Sequence, residues 1–219
     1  MAENVTLRGI TQSKIPGIYT PEEFISYVAR ISNPANQMNT LTSKKLLKYL
    51  IDNKHFSPFE HVYATLEINT TRDIGRQILR HRSFTFQEFS QRYAQVDVAD
   101  FFAREARLQD TKNRQNSIEV DDDDLDKAWR MKQQQVEHES GLAYKWALEN
   151  GIAKEQARVV LPEGLTKTTM FMTGNIRSWL HYCELRTTKG TQKEHRIIAE
   201  ECWDIIAREV PSLKNTITN

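Results

Sequence analysis

The stretch Arg80-His81-Arg82-Ser83-Phe84-Thr85-Phe86-Gln87-Glu88-Phe89-Ser90-Gln91-Arg92 sets cations, a carboxylate and a hydroxyl within thirteen residues. That mixture suits a phosphorylated ligand, because guanidinium groups keep their charge at any working pH and meet phosphate oxygens with paired donors. Upstream, Arg72, Arg76 and Arg80 stand at i, i+4 and i+8, and the spacing predicts one stripe of a helix running from Thr71 to Arg82. Downstream, residues 86 to 108 are expected to be extended, which would put the alternating Glu88, Ser90 and Arg92 on one face. From Arg72 to Arg92 five arginines stand against Asp73 and Glu88, a local excess of three positive charges in a chain whose total is +1.

The rest of the chain sets bounds around this segment. A length of 219 residues is enough to bury a real core and enclose a site. With Lys+Arg 30 against Asp+Glu 29, no long-range field marks nucleic acid or an anionic membrane as a general partner. No apolar run approaches the roughly 20 residues of a membrane span, and Met1-Ala2-Glu3-Asn4 lacks the parts of a signal peptide, so a cytoplasmic protein is expected. Cys183 and Cys202 are too few for a disulfide framework and are expected to be reduced core thiols.

Elements can be placed from caps and periodicity. Thr20-Pro21-Glu22-Glu23 is a capping box opening a helix through about Ile31, and a second helix covers roughly residues 41 to 53. Residues 62 to 68 have strand composition. The acidic run Asp121 to Asp124 favours the start of a long helix from about Leu125 to Asn150, ended by Gly151. A short helix from Lys154 to Leu161 stops at Pro162, and Thr166 to Thr173 reads as a strand. Helices from Asn175 to Arg186 and from a second capping box at Thr191-Gln192-Lys193-Glu194 toward Glu209 complete the chain. Without repeats or a Gly, Ser or Pro-rich linker, the expectation is one α+β domain over residues 1–219, helix-rich, with a central antiparallel sheet.

Neither G-x-G-x-x-G nor G-x-x-x-x-G-K-[ST] occurs, so a nucleotide would be held by side chains. A lone arginine stripe is ordinarily a solvated face, but Gln77, His81, Glu88 and Ser90 interleaved with this one favour a ligand site. The opposing reading is a non-catalytic module that sets the stripe against nucleic-acid phosphates, against which the near-zero net charge counts. His55, His61 and His181 match no short zinc motif, and no metal is expected.

Arg80-His81-Arg82, seven residues, then Ser90 resembles the R-H-R-x7-S motif of the flavin-dependent thymidylate synthases. Further landmarks similar to that family follow in order: Ala29-Arg30-Ile31-Ser32, His55-Phe56-Ser57-Pro58-Phe59-Glu60-His61, Glu155-Gln156-Ala157-Arg158-Val159-Val160-Leu161-Pro162, and Asn175-Ile176-Arg177-Ser178-Trp179-Leu180-His181 leading to Leu185-Arg186. The resemblance implies reductive methylation of deoxyuridylate (dUMP) to thymidylate (dTMP). Methylenetetrahydrofolate would give the carbon, and FAD, reduced by NADPH, would carry the hydride. It implies dUMP contacts at Gln77, Arg80, Glu88, Ser90, Gln91, Arg92, Arg158 and Arg186, and flavin contacts at Ser32, Ser57, Glu60, Arg80, His81, Arg82, Glu88, Asn175, Arg177 and His181. His55 matches a position where folate enters, and Arg186 the arginine that activates the pyrimidine, stabilising charge at N3 and the adjacent carbonyls without itself titrating. Ser90 is expected to hold substrate, since neighbouring arginines accept no proton and leave its hydroxyl a weak nucleophile. Gln91 stands where many members have glycine, and Thr187 to His195 follows the family loosely.

Helical spacing adds one inference. Asn175, Trp179, Tyr182 and Arg186 share a face, while Arg177 and His181 lie nearly opposite. One helix with ligand contacts on two sides fits sites shared between subunits, as in the homotetramers of the family it resembles.

Overall fold

The structure is a computed structural model that describes residues 4–99, 101–214 and 216–217. It has an α+β fold. In chain order the elements are β1 (Val5–Ile10), α1 (Pro21–Ala29), α2 (Ser43–Asp52), β2 (Tyr63–Thr71), α3 (Arg72–Ile78), β3 (Thr85–Glu88), β4 (Arg107–Gln109), β5 (Ser117–Glu119), α4 (Asp123–Glu149), α5 (Lys154–Ala157), β6 (Lys167–Asn175), α6 (Ile176–Arg186) and α7 (Lys193–Glu209). Four strands form a sheet in the order β1-β2-β6-β3, and β4 and β5 form a separate ribbon. β1 runs antiparallel to β2, from Val5 opposite Ile68 to Ile10 opposite Ala64, with an irregularity between Leu7 and Gly9. A hydrogen bond between the Thr65 and Thr173 hydroxyls and one from Thr169 to Asn69 make β2 and β6 antiparallel as well, since one number rises as the other falls. Burial alternates along β6, which is how a strand sorts a core face from an outer face.

The chain divides into two compact units, the first made of residues 1–68, 81–86 and 171–219, the second of 69–80 and 87–170. In the first, the core holds Ile25, Leu47, Phe59, Leu66, Trp179, Ile198 and Ile206, none more than a trace exposed. The capping box at Thr20 is present: its hydroxyl accepts from Glu23 N, and the Glu23 carboxylate accepts from Thr20 N at 2.9 Å. Arg30 is buried, donating to the Asn39 carbonyl and, at 2.8 Å, to Thr42 Oγ1. That arginine therefore braces the turn after α1 and leaves Ser32 exposed. Gly174 allows a close approach, since a Cβ there would lie 2.4 Å from Phe84 Cδ1.

In the second unit α4 begins as its aspartates suggest, with the Asp122 carboxylate accepting from Leu125 N and Asp123, Asp124 and Asp126 in the first turn. The buried residues Val96, Tyr144, Ala147 and Ala157 form its small apolar cluster.

Four sequence expectations need correction. The arginine-bearing helix stops at Ile78, so Arg80 lies beyond it in a turn and the three guanidinium groups do not share a helical stripe. Among the described residues from 86 to 108 the chain is extended only in β3 and at the edge of β4; after Glu88 the backbone turns, with Tyr93 N and Ala94 N both donating to Ser90 O. The helix expected over 154 to 161 is α5 followed by a 3-10 turn at Arg158–Val160, a tightening that suits the approach to Pro162. α7 has Gln192 at its N-cap with no side-chain cap bond, so the second capping box does not form.

Candidate active site

In the first unit, α6 begins where Asn175 Oδ1 accepts from Ser178 N at 2.8 Å. Trp179, Tyr182 and Cys183 are buried on its inner side, while Arg177, His181, Glu184 and Leu185 are exposed on the other. The two-faced reading of this helix holds. Arg186, in its last turn, donates through Nε to His81 Nε2 at 2.9 Å. Two residues singled out separately, 105 positions apart, are thus in direct contact. In this bond the His81 Nε2 lone pair is the acceptor. Bonding through Nε also leaves the terminal nitrogens of the guanidinium fork to meet a ligand.

A cluster of rings supports this pair. The His81 and Tyr182 rings meet edge to face at 4.8 Å and 86°, and Phe84 packs in the same way on Trp179 at 4.8 Å. The Trp179 indole N–H is satisfied by the Ala64 carbonyl at 3.2 Å. His195, from α7, shares a hydrogen bond of 3.1 Å with the Tyr182 hydroxyl. Burial pushes the His195 pKa down to about 3, with Arg186 and His81 adding to the effect. Burial likewise holds the Tyr182 hydroxyl protonated, its pKa pushed well above the ordinary 10. Both cysteines are free and buried, and desolvation raises both thiols, which makes them poor nucleophiles.

The other first-unit candidates lie nearer solvent. Glu60 and Arg177 form an ion pair, and Phe59 anchors the 3-10 turn Ser57–His61 that carries Ser57 and Glu60. Ser32, His55, Ser57, Arg82 and His181 are exposed. Arg82 and Arg177 carry guanidinium groups of the kind that meets phosphate oxygens.

In the second unit Glu88 Oε1 accepts from Arg72 Nη1 at 3.1 Å and from Thr168 Oγ1 at 2.8 Å. Arg76 pairs with Glu163, and Arg92 reaches Glu155 through both Nε and Nη2. Arg80 and Ser90 are exposed, Gln77 and Arg158 half-buried. Gln91 is buried, and its amide nitrogen has no hydrogen-bond partner. Arg72 and Arg76 therefore neutralise carboxylates, and the local positive excess rests on fewer groups than their number suggests. Glu155 belonged to a landmark stretch, but its pairing with Arg92, like those of Thr168 and Glu163, carried no sequence signal, because each partner lies tens of residues away. Tyr182 shared the predicted face with Arg186, whereas nothing in the sequence pointed to His195. Among the described residues no group of three or more His, Cys, Asp or Glu is placed to hold a metal ion, and no helix is long and apolar enough to cross a membrane.

The family described as "Thymidylate synthase complementing protein" matches residues 18–212. A "Probable flavin-dependent thymidylate synthase" of Paramecium bursaria Chlorella virus 1 is 48% identical over 211 residues, covering 96% of this chain and 97% of the relative. A "Flavin-dependent thymidylate synthase" of Synechocystis sp. is 46% identical over 194 residues, covering 89% and 88%. The crystal structure of a UMP/dUMP methylase, PolB of Streptomyces cacaoi, bound with 5-Br dUMP, superposes with a TM-score of 0.80 at 24% identity over 96% of this chain and 93% of that one, a likeness of fold. The chain belongs to the flavin-dependent thymidylate synthase family.

Proposed function

We propose that this enzyme makes dTMP from dUMP by reductive methylation, with methylenetetrahydrofolate as carbon donor, NADPH as reductant and FAD as the hydride carrier. Family membership supports the reaction. The observation that carries the assignment of residues is the 2.9 Å bond from Arg186 to His81, which joins the expected pyrimidine-activating arginine to the R-H-R motif. Arg186 is the group that stabilises negative charge at N3 and the flanking carbonyls as the ring carbon becomes nucleophilic. Its charge does not depend on pH, so it does this without a proton transfer of its own.

In the first unit the proposed flavin contacts are Ser32, Ser57, Glu60, His81, Arg82, Asn175, Arg177 and His181, with His55 at the folate approach. The donors fit the group: guanidinium and imidazole side chains for a pyrophosphate, hydroxyls and the Asn175 amide for ribose and ring edges. FAD, when bound, supplies hydride transfer between NADPH and the pyrimidine-borne carbon. In the second unit Gln77, Arg80, Glu88, Ser90, Gln91, Arg92 and Arg158 are the proposed dUMP contacts, Arg80 and Glu88 also serving the flavin. Arg72 and Thr168 hold the Glu88 carboxylate in place. The exposed ion pair of Arg92 with Glu155 costs little to exchange for a substrate phosphate. Four copies sharing their sites complete the proposal.

The test is spectroscopic and then chemical. Purified protein is expected to be yellow, its flavin bleached by NADPH and reoxidised with dUMP and methylenetetrahydrofolate as dTMP forms. Arg186→Ala should abolish turnover while leaving the flavin bound. Colourless protein that takes up no FAD would refute the reading.

A further inference from the structure

Tyr182 and His195 are fully buried in the first unit, and neither has a ligand to meet in the reading above. Burying a phenol and an imidazole is costly unless they bond to something, and a pair of apolar side chains would fill the same space without that cost. What the pair does is visible in its neighbours. The His195 ring nitrogen holds the Tyr182 hydroxyl at 3.1 Å, which ties α7 to the inner face of α6. The Tyr182 ring presents to His81 at 86°, so its position sets the plane of the imidazole. That plane in turn sets the direction of the His81 Nε2 lone pair, to which Arg186 Nε is bonded. His195 lies 6.4 Å from His81 between ring centroids, near enough to bar the imidazole from swinging inward.

We propose that Tyr182 and His195 are positioning residues that hold His81 edge-on and, through it, aim the Arg186 guanidinium at the pyrimidine. The inference rests on the assignment of Arg186 as the activating group. The arrangement divides the labour of one side chain: Arg186 Nε is committed to His81, and the terminal nitrogens reach the substrate. Aim matters because a displacement of about 1 Å can cost on the order of a hundredfold in rate. The pair is itself uncharged, whereas a cationic His195 would repel Arg186 and loosen the geometry that His81 imposes.

The inference is tested with Tyr182→Phe, which keeps the ring and removes the hydroxyl, with His195→Leu, and with His195→Gln, which restores a hydrogen-bonding nitrogen or oxygen. Flavin content, KM for dUMP and kcat are read together, along with the calorimetric affinity of flavin-loaded protein for 5-fluorodeoxyuridylate relative to dUMP. The fluorinated ring ionises more readily at N3 and so gains more from a well-aimed cation. Tyr182→Phe and His195→Leu are each expected to lower kcat at least tenfold with flavin content kept and KM within about twofold, and to shrink the preference for the fluorinated nucleotide. His195→Gln should recover most of the loss. The double variant should lose no more than the worse single variant, because the two residues act as one unit. Folded, flavin-loaded Tyr182→Phe with kcat within twofold of the unmodified enzyme, or losses that multiply in the double variant, would overturn the inference and leave the functional reading standing. An unmodified enzyme that binds flavin but forms no dTMP would instead overturn the functional reading and the inference with it.

Discussion

His195 shows how a single buried side chain records its surroundings. In the unfolded chain its imidazole takes a proton near pH 6.5, whereas in the fold burial, Arg186 and His81 push that pKa down to about 3. Arg186 and His81 act on it, and its ring shares a hydrogen bond with the Tyr182 hydroxyl. Between those two values the unfolded chain binds the extra proton. Stability that is fully present above about pH 6.5 therefore falls as pH drops toward 3, by up to about 1.4 kcal/mol per pH unit from this residue. Urea midpoints measured from pH 7 to 4 should decline less steeply in His195→Gln than in the unmodified protein. An identical acid slope in the two would show that His195 does not titrate in this way. Glu88 makes a different point at the same scale. Its alternation with Ser90 and Arg92 suggested a shared strand face, but its actual partners, Arg72 and Thr168, lie 16 and 80 residues away.

At the scale of elements, two helices end in the same way with different residues. After α4, Gly151 takes a positive φ of 76° while its N–H reaches Leu148 O and that of Ile152 reaches Ala147 O. After α2, Lys54 takes φ 58°, with its N–H on Ile51 O and that of His55 on Leu50 O at 2.7 Å. Both are the paired closure of a helix C-terminus, which glycine enters freely and a residue with a Cβ enters at a cost. Gly151 was legible as a stop for that reason; Lys54, an exposed residue with a Cβ, carries no such mark. Lys54→Gly is expected to stabilise the protein by up to about 1 kcal/mol and Gly151→Ala to destabilise it by about as much, provided the released strain outweighs the added freedom of the unfolded glycine. For a chain of 219 residues that corresponds to about 2–4 °C in opposite directions by calorimetry. Shifts of the same sign would contradict the shared geometry. The strands β1 and β5 escaped sequence reading because they alternate poorly: β5 is exposed throughout and β1 interrupts its pairing between Leu7 and Gly9.

On the whole molecule, the long helix α4 exposes large apolar side chains. Trp129, Val136, Leu142 and Trp146 all stand in solvent, Trp146 with 60% of its surface exposed. At 100° per residue Trp129 and Val136 share one side of the helix and Leu142 and Trp146 another. They are consistent with the proposed assembly of four copies, which predicts a light-scattering mass four times that of the chain and a loss of both assembly and turnover in Trp146→Glu. A fully active monomer would contradict shared sites.

The sequence by itself determined the order of motifs that marks the family, the capped starts of α1 and α4, the stop at Gly151 and the two faces of α6. These are local matters: a cap, a positive φ or a period of 3.6 residues is set within one or two turns of chain. Only the tertiary structure decided that Arg72 and Arg76 would be spent on carboxylates, that the arginine-bearing helix would stop at Ile78, and that Arg186 would be bonded to His81 and backed by Tyr182 and His195. Those pairings join residues brought together by strands and helices that pack on a common core, and periodicity along the chain carries no information about which distant partner the packing will supply.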